Sequence, residues 1–431
     1  MTGTPVWLSN RSSAARGSGA EADRTNRTPA GRGDGGSIAR IAVRHADPLE
    51  YATALVAIVA AGRVAVPLDP GAPPAEAERV VAVARAAATG DSGIFLCTSG
   101  TTGTPKGILL RDEQLTHTAA SVVAAHRLTR DDRGYCSLPL FHVNAEVVGL
   151  LATLRAGAYL AIDRKFSRRG FWELIAERRI TWINAVPAII SILAMDPPAP
   201  RPARVRFVRS ASAPLSLAAL ERFESQTGVP VIETYGMTEA ASMITANPLG
   251  ARKPGSAGRP AGSEVRIEAP DGTSSPAAPG DIGRVRIRGG GVIRAYASGG
   301  RPGAIDGDGW LDTGDLGYLD ADGYLFLAGR CDDVINRGGE KIYPREIEEF
   351  LLTQPGVGSP RSSPPATRCS GSGRSPTWSR LRTRAGPAWR TRCARRARRN
   401  CPGPSGPPSP AWCRSCPWAR RARSPGAACG N

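Results

Sequence analysis

A hydroxyl- and glycine-rich segment between two apolar runs is the part of this sequence best suited to chemistry. It joins residues 94–97 to residues 108–110 and reads Thr98-Ser99-Gly100-Thr101-Thr102-Gly103-Thr104-Pro105-Lys106-Gly107. Glycine lets a backbone approach an anion closely, and consecutive N–H groups, hydroxyls and a lysine are suited to hold phosphate oxygens. The order Lys106-Gly107 differs from a Walker A loop, in which Ser or Thr follows the lysine. We predict a phosphate-binding loop between two strands, with a plain surface linker as the alternative.

A second segment, Tyr235-Gly236-Met237-Thr238-Glu239, follows a predicted strand over residues 229–234. A carboxylate at the carboxyl end of a parallel strand lies where α/β sheets bind ligands. Carboxylate oxygens such as those of Glu239 also suit the Mg²⁺ that accompanies a polyphosphate. The alternative is a helix N-terminus, with Thr238 as the cap and Glu239 in the first turn.

Three other segments of small or acidic residues follow predicted strands. They read Ser210-Ala211-Ser212-Ala213-Pro214, Trp310-Leu311-Asp312-Thr313-Gly314-Asp315 and Gly329-Arg330-Cys331-Asp332-Asp333. The small side chains of the first would let a flat base lie against the backbone, and a strand-to-helix turn is the alternative. For the acidic segments the alternative is a set of hairpin turns. Hairpin turns would explain Asp320 and Asp322. They would not explain why the patterns W-x-x-T-G-D and G-R-x-D follow one another in this order.

Together these segments resemble, in order and spacing, the signature motifs of the adenylate-forming superfamily. This superfamily includes acyl-CoA synthetases, luciferases and the adenylation domains of peptide synthetases. The resemblance covers roughly residues 47–357 and includes three further segments: Pro139-Leu140-Phe141-His142-Val143-Asn144, Asn184-Ala185-Val186-Pro187 and residues 338–348. The pairs Phe166-Ser167 and Thr181-Trp182 and the run Arg209-Ser210-Ala211-Ser212 resemble the oxalate–CoA ligase branch.

The resemblance implies a role for each matching residue, with ATP, Mg²⁺ and coenzyme A as the cofactors. The implied phosphate contacts are Thr98, Ser99, Gly100, Thr101, Thr102, Gly103, Thr104, Lys106 and Thr238. The implied adenine and ribose contacts are Ser212, Ala213, Pro214, Tyr235, Gly236, Asp315 and Arg330. Lys106, Thr238 and Glu239 would be catalytic, with Glu239 on the metal and Asp332 as the hinge.

The implied acyl pocket includes His142, Asn184, Ser210 and Gly236, and residues 338–348 would form the loop that serves the second half-reaction. A structural histidine is the alternative for His142, and a solvated surface turn is the alternative for the loop.

The implied reaction has two steps. The carboxylate of an acid attacks the α-phosphate of ATP to give an acyl-adenylate and pyrophosphate, and the thiol of coenzyme A then takes the acyl group and releases AMP. The family uses a lysine in a P-x-x-x-x-G-K context for the first step, yet this sequence has no lysine after Lys341. We therefore expect an acyl-CoA ligase with impaired turnover. A carrier-protein-loading adenylation module and a catalytically dead nucleotide-binding remnant are the alternatives.

The periodicity predicts the elements that hold these residues. Strands alternate with helices from Leu49 to residue 234, which indicates an α/β fold of parallel-sheet layers covered by helices. One predicted helix covers Glu146–Arg155. Short strands follow from about residue 255, including separate ones at Trp310 and Leu316–Leu319, and predict a small β subdomain. A small α+β lid domain would begin at residue 331.

These predictions divide the chain into four parts. Residues 1–40 form a disordered or non-native leader. Residues 41–330 form an adenylation domain, with its β subdomain at about 255–330 and an amino end that begins late for the family. Residues 331–357 begin an incomplete lid domain, and residues 358–431 form an Arg-, Pro-, Ser- and Cys-rich tail.

The net charge of +18 belongs to that tail. Residues 358–431 contain 16 arginines, no lysine and no acid, which leaves 40 basic and 38 acidic residues elsewhere. We expect a frameshifted, disordered tail and no nucleic-acid partner, although a basic arm is the alternative. No apolar run approaches a membrane span, so we expect a cytoplasmic enzyme, with fatty acid metabolism as a family-level expectation.

Overall fold

The structure, a computed structural model, describes residues 8–9, 38–87, 90–98, 106–195, 198, 201–269, 276–337, 340–345 and 347. Several predictions from the sequence lie outside these residues. They are the roles of Ser99, Gly100, Thr101, Thr102, Gly103 and Thr104, most of the leader, the Gly338-Gly339 turn and the tail. Within the leader, Leu8–Ser9 form a strand, so the expectation of disorder differs from the structure at that point.

The strands, numbered in chain order, are β1 Leu8–Ser9, β2 Arg40–Val43, β3 Val64–Pro67, β4 Gly93–Thr98, β5 Lys106–Arg111, β6 Arg133–Cys136, β7 Tyr159–Ile162, β8 Trp182–Ala185, β9 Phe207–Ser210, β10 Val231–Tyr235, β11 Thr245–Ala246, β12 Arg259–Pro260, β13 Glu264–Glu268, β14 Gly283–Arg288, β15 Leu311–Leu319, β16 Leu325–Arg330, β17 Ile335–Arg337 and β18 Glu340–Ile342.

The helices are α1 Pro48–Ala60, α2 Pro74–Ala86, α3 Asp112–His126, α4 Ala152–Ala156, α5 Phe171–Glu177, α6 Pro187–Leu193 and α7 Leu217–Thr227. Local signals begin and end several of them. The Asp47 carboxylate accepts from the backbone N–H groups of Leu49 and Glu50 at 2.8 and 3.1 Å and caps α1. Gly228 at φ +71° ends α7. None of the helices in the described ranges is both long and apolar enough to cross a bilayer.

The structure has a helix over the predicted segment Glu146–Arg155, but this helix is not an α-helix throughout. A π-helix runs over Asn144–Leu151, and α4 continues from it. A π-helix carries extra residues in its turns, which hydrophobic periodicity does not reveal, and such segments are frequent at functional sites.

The large sheet confirms the predicted parallel α/β architecture. Its order is β1-β7-β6-β8-β9-β10-β11-β12, parallel from β1 to β10 and antiparallel beyond. The fully buried strand β8 lies near its centre, as expected for a sheet covered on both faces. The carboxyl ends of β8, β9 and β10 therefore lie side by side.

A second sheet has the order β2-β3-β4-β5. Its first three strands are parallel, but β4 and β5 form an antiparallel hairpin. The sequence predicted these two strands and the loop between them, but it gave no direction for their pairing.

The predicted β subdomain is an antiparallel sheet with the order β13-β14-β15-β16. The prediction of two separate strands, at Trp310 and at Leu316–Leu319, is wrong, because residues Leu311–Leu319 form the single strand β15. Asp315 consequently lies inside a strand rather than in a turn. The predicted hairpin turn follows β15, with Gly323 at φ +77° and the N–H groups of Asp322 and Tyr324 donating to Asp320 Oδ1 at 3.0 and 2.9 Å.

One apolar cluster joins the second sheet, the π-helix and the antiparallel sheet. Its fully buried members include Leu55, Ile94, Leu110, Leu150, Ile287 and Leu325. Burying a side chain of this size contributes about 1.5–3 kcal/mol. This shared core fixes β15 and β16 against the elements that carry the candidate site.

Candidate active site

The turn after β10 is the centre of the candidate site. Gly236 is required there, because a Cβ at this position would lie 1.3 Å from the carbonyl oxygen of Ser242. Thr238–Ala240 form a single 3₁₀ turn with Met237 at its N-cap position and no side-chain capping bond. The alternative of a helix capped by Thr238 is therefore wrong, and the Thr238 hydroxyl makes no hydrogen bond to a described residue.

The amino end of this turn contacts the antiparallel sheet. The Tyr235 hydroxyl donates to Asp315 Oδ2, and Arg330 Nη1 donates to Asp315 Oδ1 at 2.9 Å. Burial raises the pKa of Asp315 above its usual value, against the opposing effects of Arg330 and the Tyr235 hydroxyl. Three of the residues that the sequence assigned to the adenine and ribose, Tyr235, Asp315 and Arg330, thus form one hydrogen-bonded group.

Asp312 holds Asp315 in place, a role that the sequence did not reveal. Its Oδ1 accepts from the Gly314 N–H at 2.9 Å, and its Oδ2 lies 2.9 Å from Arg301 and also pairs with Arg284. Burial acts to raise the pKa of Asp312, but hydrogen bonds from Arg284, the Gly314 N–H and Arg301 lower this pKa below its usual value. The carboxylate therefore stays ionised and keeps this part of β15 in one conformation.

The carboxyl end of the turn contacts a different group. Glu239 is buried, and the Tyr296 hydroxyl donates to its Oε1 at 3.0 Å. Lys106 Nζ lies 5.7 Å from the centre of the Tyr296 ring, within the range of a cation–π contact. Burial and the Glu239 carboxylate raise the pKa of Tyr296, so its hydroxyl remains a donor. Tyr296 lies outside every motif recognised in the sequence.

The predicted phosphate loop is anchored at both of its ends. Thr98 and Lys106, the residues that flank the loop, are paired neighbours on β4 and β5. Gly107 bonds to the backbone of Ala297 and Ser298, which fixes Lys106 beside Tyr296. The contacts of the loop residues themselves remain predictions.

The Glu239 carboxylate fits the implied Mg²⁺. Its Oε1 accepts from Tyr296, whereas its Oε2 makes no hydrogen bond to a described residue. Magnesium is commonly held by one or two carboxylates together with substrate phosphates and water. No group of three or more His, Cys, Asp or Glu side chains in the described ranges could hold a metal without such help.

The segment Ser210–Pro214 lies beside the same turn. The Thr234 hydroxyl donates to the Ser210 carbonyl at 3.0 Å, and Ala213 and Pro214 are exposed. Ser212 stands where the family usually has glycine, and its φ of +72° is in the left-handed region. That conformation costs a non-glycine residue about 1–2 kcal/mol. Asn144 Nδ2 lies 3.3 Å from Ser212 Oγ and helps to hold it.

Asn184 belongs to a buried polar group behind this segment. Its Nδ2 donates to Asn144 Oδ1 at 3.3 Å, and Arg209 Nη1 donates to both amide oxygens, at 2.8 Å to Asn144 and 3.1 Å to Asn184. The sequence predicted Asn184 and Ser210 as pocket residues but assigned no role to Arg209 or Asn144.

His142 and Asp332 remain predictions. The His142 ring packs against Phe141 with 4.6 Å between ring centres and makes no hydrogen bond to a described residue. Partial burial lowers the pKa of His142, opposed by the Asp69 charge, so the ring is neutral near pH 7. Asp332 is exposed in a single turn after β16.

An α/β fold with its polar groups at the carboxyl strand ends is the architecture of a ligand-binding α/β enzyme. The family model for AMP-binding enzymes matches residues 87–297. Sulfoacetate–CoA ligase of Cupriavidus necator is 45% identical over 268 residues, covering 61% of this chain and 52% of the ligase. Oxalate–CoA ligase of Arabidopsis thaliana is 42% identical over 277 residues, covering 62% and 53%.

Solved structures agree with this likeness. O-succinylbenzoate coenzyme A synthetase of Bacillus subtilis in complex with AMP has a TM-score of 0.59 at 30% identity, covering 71% of this chain and 67% of that one. The same synthetase with ATP and magnesium ion has a TM-score of 0.65 at 28% identity, covering 75% and 76%. This chain belongs to the adenylate-forming superfamily of AMP-binding enzymes. It spans about half the length of the two ligases it matches.

Proposed function

We propose that this protein binds Mg-ATP and activates a small carboxylic acid as an acyl-adenylate for transfer to coenzyme A. One observation carries the proposal. The five-residue turn Tyr235–Glu239 contacts the Asp315–Arg330 pair at one end and the Tyr296–Lys106 pair at the other. The proposed ribose and phosphate contacts are thus joined by one short turn.

At the ribose end, Asp315 offers acceptors for two neighbouring hydroxyl groups. Arg330 and Tyr235 orient its carboxylate, and burial strengthens each hydrogen bond that it accepts. The exposed backbone of Ala213 and Pro214 supplies a surface for the adenine ring, with the Tyr235 side chain beside it.

At the phosphate end, Lys106 contributes a positive charge, and Thr238 has a hydroxyl with no partner among the described residues. Glu239 would hold Mg²⁺, which neutralises phosphate charge when it is bound. Tyr296 orients the Glu239 carboxylate. Transfer at phosphorus depends mostly on positioning and charge stabilisation, so the proposed step needs no side-chain nucleophile.

The matched proteins favour coenzyme A as the acceptor, because all three are named as coenzyme A ligases or synthetases. Sulfoacetate, oxalate and O-succinylbenzoate each carry two anionic groups, and we infer the same class of acid here. A carrier-protein acceptor is less favoured. Magnesium dependence and a cytoplasmic location belong to this proposal.

We further propose that turnover by this chain is weak, because no lysine follows Lys341 in the sequence. Acid-dependent exchange of pyrophosphate into ATP, measured over a panel of carboxylic acids, tests the activity. Nucleotide binding with slow, acid-dependent exchange supports the proposal. Rapid exchange would show that another group replaces the lysine, and a folded protein without nucleotide affinity would contradict the function itself.

A further inference from the structure

Arg209 is a fully buried cation without an acidic partner among the described residues. It is 1% exposed, and it donates only to the neutral amide oxygens of Asn144 and Asn184. Its Nε makes no hydrogen bond within the described part of the chain. Buried charges in proteins are normally paired with an opposite charge. No acidic side chain in the described ranges pairs with this guanidinium.

The buried acid of the π-helix does not supply that partner. Glu146 is fully buried in the π-helix, and both its carboxylate oxygens lack hydrogen bonds from described residues. Burial raises the pKa of Glu146 well above its usual value, which favours the neutral form of its side chain. Burial also lowers the pKa of Arg209 to about 9, yet the guanidinium remains protonated at neutral pH.

Arg209 lies one side chain away from the proposed nucleotide site. Asn144 contacts Arg209 through Oδ1 at 2.8 Å and Ser212 through Nδ2 at 3.3 Å. Among the described residues, a cation without an acidic partner thus lies one side chain away from the proposed nucleotide site.

We propose that Arg209, held by Asn144 and Asn184, binds a second anionic group of the acid, a carboxylate or sulfonate distinct from the carboxylate that is activated. The inference rests on the proposed function and deepens it by naming the residue that selects the acid. Because only Asn144 separates Arg209 from Ser212, the acid is short.

The test compares acids that differ only in this second charge. Oxalate and malonate are matched with their monoamides, oxamate and malonamate, and binding is measured calorimetrically in the presence of Mg-α,β-methylene-ATP. This analogue cannot transfer its adenylyl group to the acid, so affinity is measured without turnover. We expect the dianions to bind about 10- to 100-fold more tightly, as for a hydrogen bond to a charged group.

Two variants identify the residue responsible. Asn184→Asp keeps the volume and gives Arg209 an internal carboxylate, so the preference for the dianion should disappear while the fold is retained. Arg209→Met should abolish the preference in the same way. Arg222→Met, an exposed arginine on α7, should leave it unchanged.

The outcomes separate the two proposals. If the nucleotide analogue binds but oxalate and oxamate bind equally, or if the preference survives in Asn184→Asp, the role of Arg209 is wrong and the proposed function stands. If the folded wild-type protein does not bind the analogue, the proposed function fails, and the role of Arg209 falls with it.

Discussion

The Tyr235 hydroxyl donates to the Asp315 carboxylate across 80 residues of sequence. Tyr235 ends a strand of the large sheet, and Asp315 lies within the antiparallel sheet. This hydrogen bond therefore joins the two sheets at the proposed ribose contact. Arg330 Nη1 approaches the other carboxylate oxygen at 2.9 Å, leaving Asp315 oriented by a neutral donor and a charged one.

Asp315→Asn should weaken ATP and AMP binding about 10- to 100-fold, because hydrogen bonds to a charged group contribute about 1.5–3 kcal/mol. Calorimetric titration with both nucleotides measures the effect. Asp322→Asn changes an exposed carboxylate of the same sheet and serves as the control.

The ribose assignment has a sharper test in the nucleotide itself. If Asp315 binds the ribose hydroxyls, replacing ATP with 2′,3′-dideoxy-ATP should cost affinity in the wild type and little more in Asp315→Asn. Fully additive losses would contradict this assignment, because independent sites add and interacting ones do not.

Glu239→Gln should remove most of the increase in ATP affinity that Mg²⁺ provides, while AMP binding without metal stays nearly unchanged. Tyr296→Phe should cause a smaller loss, since it keeps the carboxylate and removes only its orienting donor. Titrations with and without Mg²⁺ distinguish the two variants. Glu221→Gln, on the exposed face of α7, is the control, and an unaltered magnesium effect in Glu239→Gln would refute the metal assignment.

Gly236→Ala should destabilise the protein by about 3 kcal/mol or more, at the upper end of overpacking effects. The new Cβ would lie 1.3 Å from the Ser242 carbonyl oxygen, which belongs to backbone and cannot rotate away. Gly307→Ala is a matched control, because nothing lies within 4 Å of a Cβ there. Urea unfolding compares the two, and equal stability would mean that the turn adopts another conformation.

The buried His126 side chain should make the stability of the protein depend on pH. Burial, together with the Arg209 and Arg206 charges, lowers its pKa from 6.5 to about 3. Between these values the unfolded chain binds more protons than the folded protein, so stability falls as pH falls below 6.5. From pH 6.5 to about pH 5.5 this loss is about 1 kcal/mol.

His126→Leu isolates that contribution from other groups, among them Glu146, whose raised pKa acts in the opposite direction. As the pH falls over this range, the free energy of unfolding of the wild type should decrease by about 1 kcal/mol relative to that of His126→Leu. Val122→Ala, a substitution of a buried residue on the same helix, should change the free energy of unfolding by an amount that does not depend on pH. A constant difference for His126→Leu would mean that the folded protein accommodates the charged ring.

Much of the fold followed from sequence because its signals are local. Strand and helix alternation, the Gly323 turn and the apolar runs around Thr98 and Lys106 each lie within one short segment. The π-helix and the antiparallel pairing of β4 with β5 did not follow. Periodicity does not distinguish a π-helix from an α-helix, and an apolar run does not reveal the direction of its neighbour.

Within the site, sequence identified the residues of contiguous motifs and missed those that act through long-range contacts. Tyr296 meets Glu239 across 57 residues, and nothing adjacent to it suggests the contact. Arg209 is an arginine in an apolar strand, a residue type that is ordinarily exposed. Only its packing against Asn144 and Asn184 shows that it is buried.

Calorimetric titration of the folded chain with Mg-ATP tests the central claim most directly, namely that the turn Tyr235–Glu239 unites ribose and phosphate contacts in one nucleotide site. We predict saturable binding with a Kd below about 1 mM, weakened both by Asp315→Asn and by Glu239→Gln. A folded protein that shows no saturable binding, or binding that neither variant changes, would contradict it.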